Sequence, residues 1–95
     1  MDAETSFAAA VDRAIDIANV DYKIKFSKLR QMINQYGHVE AARKLISVTK
    51  PSDGFTDLVL VNRRDLSLEN IALMDEHREL FSEEQLAIAS KKLAL

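Results

Sequence analysis

Two histidines, His38 and His77, are the side chains best suited to bind a metal or to transfer protons near neutral pH. Neither has the spacing of a zinc motif such as H-E-x-x-H, and the chain contains no cysteine. We predict that His38 starts a helix and that His77, in the polar run DEHRE, is a solvated loop residue. We expect no metal site, no catalytic residue and no cofactor, because the sequence also lacks phosphate-binding loops and a nucleophile elbow.

A second group with potential for chemistry is the charged cluster between residues 57 and 69. Its members are Asp57, Arg63, Arg64, Asp65 and Glu69. Acid–base catalysis by two carboxylates needs pKa values that the site holds apart, whereas Asp57 follows Asp53 by one exposed helical turn. We predict that Asp65 and an arginine form a structural ion pair that fixes this segment, and that the protein is not an enzyme.

Basic residues interleaved with apolar ones form the strongest candidate for binding nucleic acid. The stretch from residue 23 to residue 30 has this pattern, and its basic residues are Lys23, Lys25, Lys28 and Arg30. The alternative is a solvated helix face, on which the apolar stems of these side chains cover the core while the charges stay in water.

The net charge of −2 conceals an acidic–basic–acidic layout. Residues 1–21 and 65–95 are acidic overall, and residues 22–64 are basic. In one interpretation the basic middle pairs with the acidic ends inside a single domain. In the other it forms an exposed face for nucleic acid or for an acidic protein.

The elements that must position these groups are helices, because two glycines and one proline are too few for the turns of a β fold. Apolar residues recur at helical spacing through the first third of the chain. Either one helix covers residues 5–36, or the chain bends near residues 19–24, where weak helix formers favour the bend. Thr5 or Ser6 is the predicted N-cap of the first helix.

Capping residues mark the remaining helices. Gly37 ends one helix, and the next follows at once in HVEAARKLIS. Further N-caps are predicted at Ser52, Ser67 and Ser82, the last in a capping box that Gln85 completes.

These elements predict an all-α fold, a compact orthogonal bundle of five or six short helices in a single domain over residues 1–95. An N-terminal helical part at 5–47 and C-terminal helices at 67–93 flank a hinge at 48–67. The structural residues of the hinge are Pro51, Gly54, Asn62, Asp65 and Ser67, with Asn62 as a left-handed helix terminator. The predicted core residues are Phe26, Leu29, Ile33, Leu45, Ile46, Phe55, Leu58, Leu66, Ile71, Phe81, Leu86 and Ile88.

The chain resembles an uncharacterised bacterial all-helical domain family from about Tyr22 to Leu93. Four runs together carry the resemblance, namely HVEAARKLI, PSDGFTDL, DLSLE and LFSEEQLAIA. The family pattern is approximately GVEAAKRLL, SDGFTxLW, GRLDLTVE and LFTxEEL. The resemblance implies an all-helical module and carries no established activity and no site residues. The chain departs from the pattern at Ile24, Val59, Asn62 and Arg64, where the family favours Pro, Trp, Gly and Leu.

The resemblance also separates the two adjacent arginines. Arg63 matches the arginine of the family, and Arg64 stands where the family prefers leucine. We therefore expect Arg63 to be structural, bonded to Asp65 or Glu69 or to the last carbonyls of the preceding helix. Arg64 is expected to be exposed and free to meet a partner.

The predicted function is a non-catalytic helical protein-interaction module, a regulator or inhibitor in a bacterial or phage setting. The alternative is a nucleic-acid-associated accessory domain that uses the basic segment 22–64. We expect another protein as the partner, leave homo-oligomers open, and expect no membrane and a cytoplasmic location. The candidate partner-binding residues are Arg64, Arg63, Lys23, Lys25, Lys28 and Arg30.

Overall fold

Six α-helices and two 3-10 helices make up the structure, a computed structural model that describes residues 2–95. The α-helices are α1 (Ala3–Tyr22), α2 (Ser27–Tyr36), α3 (His38–Ser47), α4 (Asp53–Leu60), α5 (Leu68–Ala72) and α6 (Glu83–Leu93). The 3-10 helices are Arg64–Leu66 and Asp75–Leu80. Residues 2–95 contain no β-strand, which confirms the all-α prediction.

The first helix begins earlier than the sequence indicated. Asp2 is its N-cap, and its carboxylate accepts a hydrogen bond of 2.7 Å from the Thr5 backbone N–H. This bond lowers the pKa of Asp2 below its usual value. The predicted caps, Thr5 and Ser6, are wrong because Ala3 is already helical, which places both hydroxyls inside the helix.

The chain breaks between α1 and α2, so the bend is confirmed and the single long helix is wrong. Lys23 has a left-handed backbone with φ 61°, and the Ile24 N–H returns to the Ala18 carbonyl at 3.1 Å, which closes the end of α1. Phe26 is also left-handed, with φ 51°. A bulky side chain in this region costs about 1–2 kcal/mol, which packing of the Phe26 ring offsets.

The turn between α2 and α3 consists of Gly37 alone. Its φ of 83° lies in the region where L-residues with a Cβ are strained. The Gly37 N–H closes α2 on the Ile33 carbonyl at 2.8 Å, and its carbonyl accepts the Ala41 N–H at 3.1 Å in α3. One glycine thus ends one helix and starts the next.

The predicted hinge is an ordered segment that contains all of α4. Ser52 caps this helix through a 3.2 Å bond from the Phe55 N–H, as predicted. Asn62 follows α4 with φ 59°, which confirms the predicted left-handed terminator. The Arg63 N–H then bonds to the Leu58 carbonyl at 2.8 Å.

The C-terminal half follows its capping signals except in the run DEHRE. Ser67 caps α5 by accepting the Asn70 N–H at 3.1 Å. Ser82 and Gln85 form the full capping box of α6. The run DEHRE is not a loop, because it forms most of the Asp75–Leu80 3-10 helix.

His77 is a core residue, and its predicted place in a solvated loop is wrong. Its side chain is 1% exposed because the 3-10 helix turns it onto α1. A carbonyl oxygen can only accept, so Nδ1–H donates to the Ile71 carbonyl at 2.8 Å. In the neutral ring Nε2 accepts from the Ser6 hydroxyl at 3.0 Å. The Phe7 ring meets the imidazole edge-on at 5.4 Å.

One core joins the two halves of the chain. The buried stripe of α1 packs against α3, α5 and the second 3-10 helix. Seven predicted core residues are buried, namely Leu29, Ile46, Phe55, Leu58, Leu66, Ile71 and Phe81. The other five are only half-buried at the margin of the core, namely Phe26, Ile33, Leu45, Leu86 and Ile88. Within residues 2–95, no helix has both the length and the apolar character that a membrane crossing requires.

Candidate interaction cleft

A cleft of about 590 Å³ opens beside the first turn of α4. Its walls come from residues 25–29, 48–58 and 66–71, and α1 closes its inner side. We call it the Gly54 cleft, after the glycine in its wall. The segment between α1 and α2 and the segment before α4 supply the walls. The left-handed residues Lys23 and Phe26 fix the first segment, and the Ser52 cap fixes the second, so together they position this site.

The inner surface of the Gly54 cleft is apolar. Val11, Ala14 and Ile15 of α1 line it, together with Phe55 and Leu58 of α4. All five are buried, so the inner walls of the cleft are formed by the main core and only its outer part is open to solvent. Apolar walls with a few polar groups at the mouth are typical of binding sites of this volume.

The mouth of the cleft carries three lysines, Lys25, Lys28 and Lys50. All three are exposed, and none forms an ion pair with another residue in the described part of the chain. Val48, at the same mouth, leaves 55% of its surface exposed. On the α4 side, Asp53 and Asp57 add exposed carboxylates.

A charged side chain, Glu69 of α5, also lines the cleft, although it is buried. Its Oε2 accepts from Lys92 Nζ at 3.3 Å. Lys92, which is 2% exposed, also donates to the Leu45 and Ile46 carbonyls, each at 3.1 Å. Lys92 therefore satisfies the C-terminal end of α3. Because the pair is internally neutral, the charge of the site comes from the three mouth lysines and from Asp53 and Asp57, which leaves a small positive excess.

Gly54 is needed because the Phe26 ring lies against its α-carbon. A Cβ at residue 54 would be 2.7 Å from the Phe26 Cδ1 atom and 2.8 Å from Cε1. Any side chain at this position must push the ring aside. The contact fixes Phe26 across one wall of the cleft.

Gly54→Ala should therefore lower the free energy of unfolding by about 1 kcal/mol, since overpacking against the Phe26 ring exceeds the gain in helix propensity. In a Phe26→Ala background the same change should instead stabilise by about 0.5–1 kcal/mol, because the clash is gone. Urea denaturation of the four proteins measures both effects. A stabilisation of equal size in both backgrounds would show that the ring does not pack on residue 54.

Of the six predicted partner-binding residues, the structure brings only Lys25 and Lys28 to the cleft. Lys23 and Arg30 are exposed but do not line it. Arg63 and Arg64 lie outside it as well. Sequence reasoning missed Lys50 and Val48, although both stand in the short connector just before Pro51.

Arg63 forms the ion pair expected for one of the two arginines. Its Nε and Nη2 donate to the two Asp65 carboxylate oxygens at 3.0 and 3.1 Å. Its Nη1 donates to the Tyr22 hydroxyl at 3.0 Å, which joins the end of α1 to the segment after α4. The bonds to Asp65 and then to Tyr22 raise the pKa of the Arg63 guanidinium above its usual range.

Arg64 is not free, contrary to expectation. It is half-buried, and its Nη2 donates to the Leu95 carbonyl at 3.0 Å. Its Nε is buried and has no hydrogen-bond partner among residues 2–95. The side chain therefore contacts the chain after α6.

Arg63→Ala should lower the melting temperature by several degrees, because it breaks both the bidentate pair with Asp65 and the bond to Tyr22. Arg64→Ala should have a smaller effect, because it removes one bond to a carbonyl near an open surface. Thermal melts followed by circular dichroism compare the two variants. A larger loss for Arg64→Ala would reverse the structural roles of the two arginines.

Asp65 should also make a pH-dependent contribution to stability. The hydrogen bonds from Arg63 hold the pKa of Asp65 below its ordinary value of 3.8. Its contribution is therefore complete above that value and is lost as the pH falls through the lower pKa of the folded state. The pair is open to solvent, so the effect is modest.

Melting curves at several values between about pH 7 and pH 2 should show the advantage of the wild type over Asp65→Asn shrinking at the acidic end. Asp57→Asn measures how much the loss of one surface carboxylate contributes through net charge alone. If the gap between wild type and Asp65→Asn stayed constant with pH, the carboxylate of Asp65 would not be stabilised in the folded state.

No group of three or more His, Cys, Asp or Glu side chains in residues 2–95 is arranged to hold a metal ion. His38 does start α3, and its Nε2 lies 2.8 Å from an exposed Asp12 carboxylate oxygen, which ties α3 to α1.

Comparison of the chain with family models, curated proteins and solved structures found no match. The family resemblance stays a prediction, and it assigns no role to any residue of the cleft.

Proposed function

We propose that this protein is a helical protein-interaction module that binds its partner at the Gly54 cleft. The observation that carries the proposal is an apolar cleft whose mouth holds three exposed lysines outside any ion pair within residues 2–95. A partner that buries the apolar surface and neutralises the lysines suits both properties of the mouth.

The module acts by binding, as a regulator or inhibitor in a bacterial or phage setting, and not by catalysis. The cleft presents lysines, aspartates and a paired glutamate, without a nucleophile held by a base among the described residues. The lack of cysteine suits a reducing compartment, so the cytoplasm is the place to look for the partner.

Binding of nucleic acid is the second candidate, because Lys23, Lys25, Lys28 and Arg30 are all exposed within one short stretch. Two features weaken it. Asp53 and Asp57 line the same mouth and would repel phosphates. The aromatic ring in this stretch, Phe26, packs on Gly54 and is therefore partly covered as a stacking surface for a base. Steep weakening of binding with rising salt would favour nucleic acid.

Site-specific photo-crosslinking in cells that express the protein tests the proposal. A benzophenone amino acid placed at Val48, at the mouth of the cleft, should capture one defined protein. The same group at Leu60, which is 78% exposed and does not line the cleft, provides the matched control. Equal capture from both positions, or none from Val48, would contradict a partner site at the cleft. A second copy of this chain captured from Val48 would identify the partner as a homo-oligomer.

A further inference from the structure

We infer that the occupant of the Gly54 cleft is an acidic amphipathic helix of the partner protein. One bulky apolar side chain of that helix enters the cleft, and carboxylates beside it meet the mouth lysines. The inference rests on the proposed function and specifies the chemistry of its partner.

The charges of the mouth favour an acidic flank on one side of the partner, and they also orient it. Lys25 and Lys28 lie on the α1–α2 side of the cleft, whereas Asp53 and Asp57 project from α4. A helix crossing the mouth would meet attraction for its carboxylates on one side and repulsion on the other. The acidic face of the partner therefore points toward Lys25 and Lys28, and the face toward α4 is neutral or basic.

The all-α fold explains why the occupant is a helix and not an extended peptide. One common way for an extended peptide to bind is to pair its backbone N–H and C=O groups with a sheet edge. Residues 2–95 contain no strand and hence no such edge. A helix satisfies its own backbone hydrogen bonds and can cover apolar surface without a sheet edge.

The depth of the cleft explains the single apolar anchor. The inner walls are already buried in the folded protein, so only the outer part, beside Phe26, Val48 and Pro51, is open to an incoming group. Val48 exposes more than half of its surface there. A side chain of the size of Leu, Phe or Trp would cover this surface, and anchors of this kind supply most of the affinity of helix-in-groove complexes.

A display library of helix-forming peptides of about 16 residues, long enough to form a helix on binding, tests this inference directly. Selection on the wild-type protein should enrich sequences with Asp or Glu within one turn of a Leu, Phe, Met or Trp. The enriched peptide, labelled with a fluorophore, should bind Lys25→Glu/Lys28→Glu at least about tenfold more weakly than wild type. Lys44→Glu/Lys91→Glu, with the same change in charge at exposed residues outside the cleft, should stay within about twofold.

Each failure has a distinct meaning. Enrichment of basic or uncharged peptides, absence of any enrichment, or equal weakening by the two double variants would overturn the acidic helix. If Val48 still captured a defined protein in cells, the interaction cleft would stand with a partner of different chemistry. If capture at Val48 also failed, the proposed function would fall together with the inference.

Discussion

Lys92→Met should lower the free energy of unfolding by about 3–5 kcal/mol, because it leaves the Glu69 carboxylate buried without its cation. Lys92 Nζ lies 3.3 Å from Glu69 Oε2, and both side chains are almost fully buried. The same substitution also removes the donor that satisfies the last carbonyls of α3. Urea denaturation at neutral pH gives the difference in free energy.

The double variant Glu69→Met/Lys92→Met separates these effects. Removing both charges should recover much of the loss, since a buried pair replaced by apolar side chains is often close to neutral. Recovery should remain incomplete, because the Leu45 and Ile46 carbonyls still lack a donor. A loss below about 1 kcal/mol for Lys92→Met would mean that water reaches the pair.

Phe7→Ala should destabilise the protein by about 3–5 kcal/mol, enough to unfold many domains of this size. Phe7 is fully buried in α1, and its ring meets His77 at 5.4 Å and Phe81 at 5.3 Å, both edge-on. Truncation opens a cavity at the point where α1 meets the C-terminal half. Circular dichroism melts and urea curves report the loss.

Two matched variants define the expected scale. Phe7→Leu retains most of the volume and should cost clearly less than the alanine. Val20→Ala, on the same helix but 70% exposed, should stay within about 0.5 kcal/mol of wild type. Equal melting temperatures for Phe7→Ala and Val20→Ala would contradict the role of Phe7 as the contact between the halves.

Local signals predicted the helices well, because a cap acts over three or four residues. Ser52, Ser67 and Ser82 all accept the N–H bonds that their positions predicted. Asn62 ends α4 in the left-handed conformation for the same reason. The cap of α1 was missed because Asp2, Thr5 and Ser6 are all suitable residue types, and only the packing of α1 selects among them.

Long-range polar contacts could not be predicted in the same way. His77 is 71 positions from its partner Ser6, and Lys92 is 23 from Glu69. In the sequence each looks like a surface residue, because its burial depends on which face a distant helix offers. The 3-10 helix at 75–80 adds to this difficulty, because its side-chain spacing differs from that of an α-helix.

The candidate site was predicted only in part. Lys25 and Lys28 belonged to the predicted basic segment, and the structure places them at the mouth of the cleft. Lys50 and Val48 lie beside them because the chain passes close to α1 and α2 before it enters α4. No local sequence signal predicts this path. Arg64 was assigned to a partner because it stands where the resembled family prefers leucine, and its contact with Leu95 could be seen only in three dimensions.

Chemical-shift mapping on the partner is the most direct measurement of the central claim. Backbone amide spectra of the ¹⁵N-labelled protein, recorded as the protein captured from Val48 is added, locate the bound face residue by residue. The largest shifts should fall in residues 25–29, 48–58 and 66–71, with the exposed face of α6 unchanged. Shifts centred on α6, or on Lys23 and Arg30 without the cleft, would contradict the account.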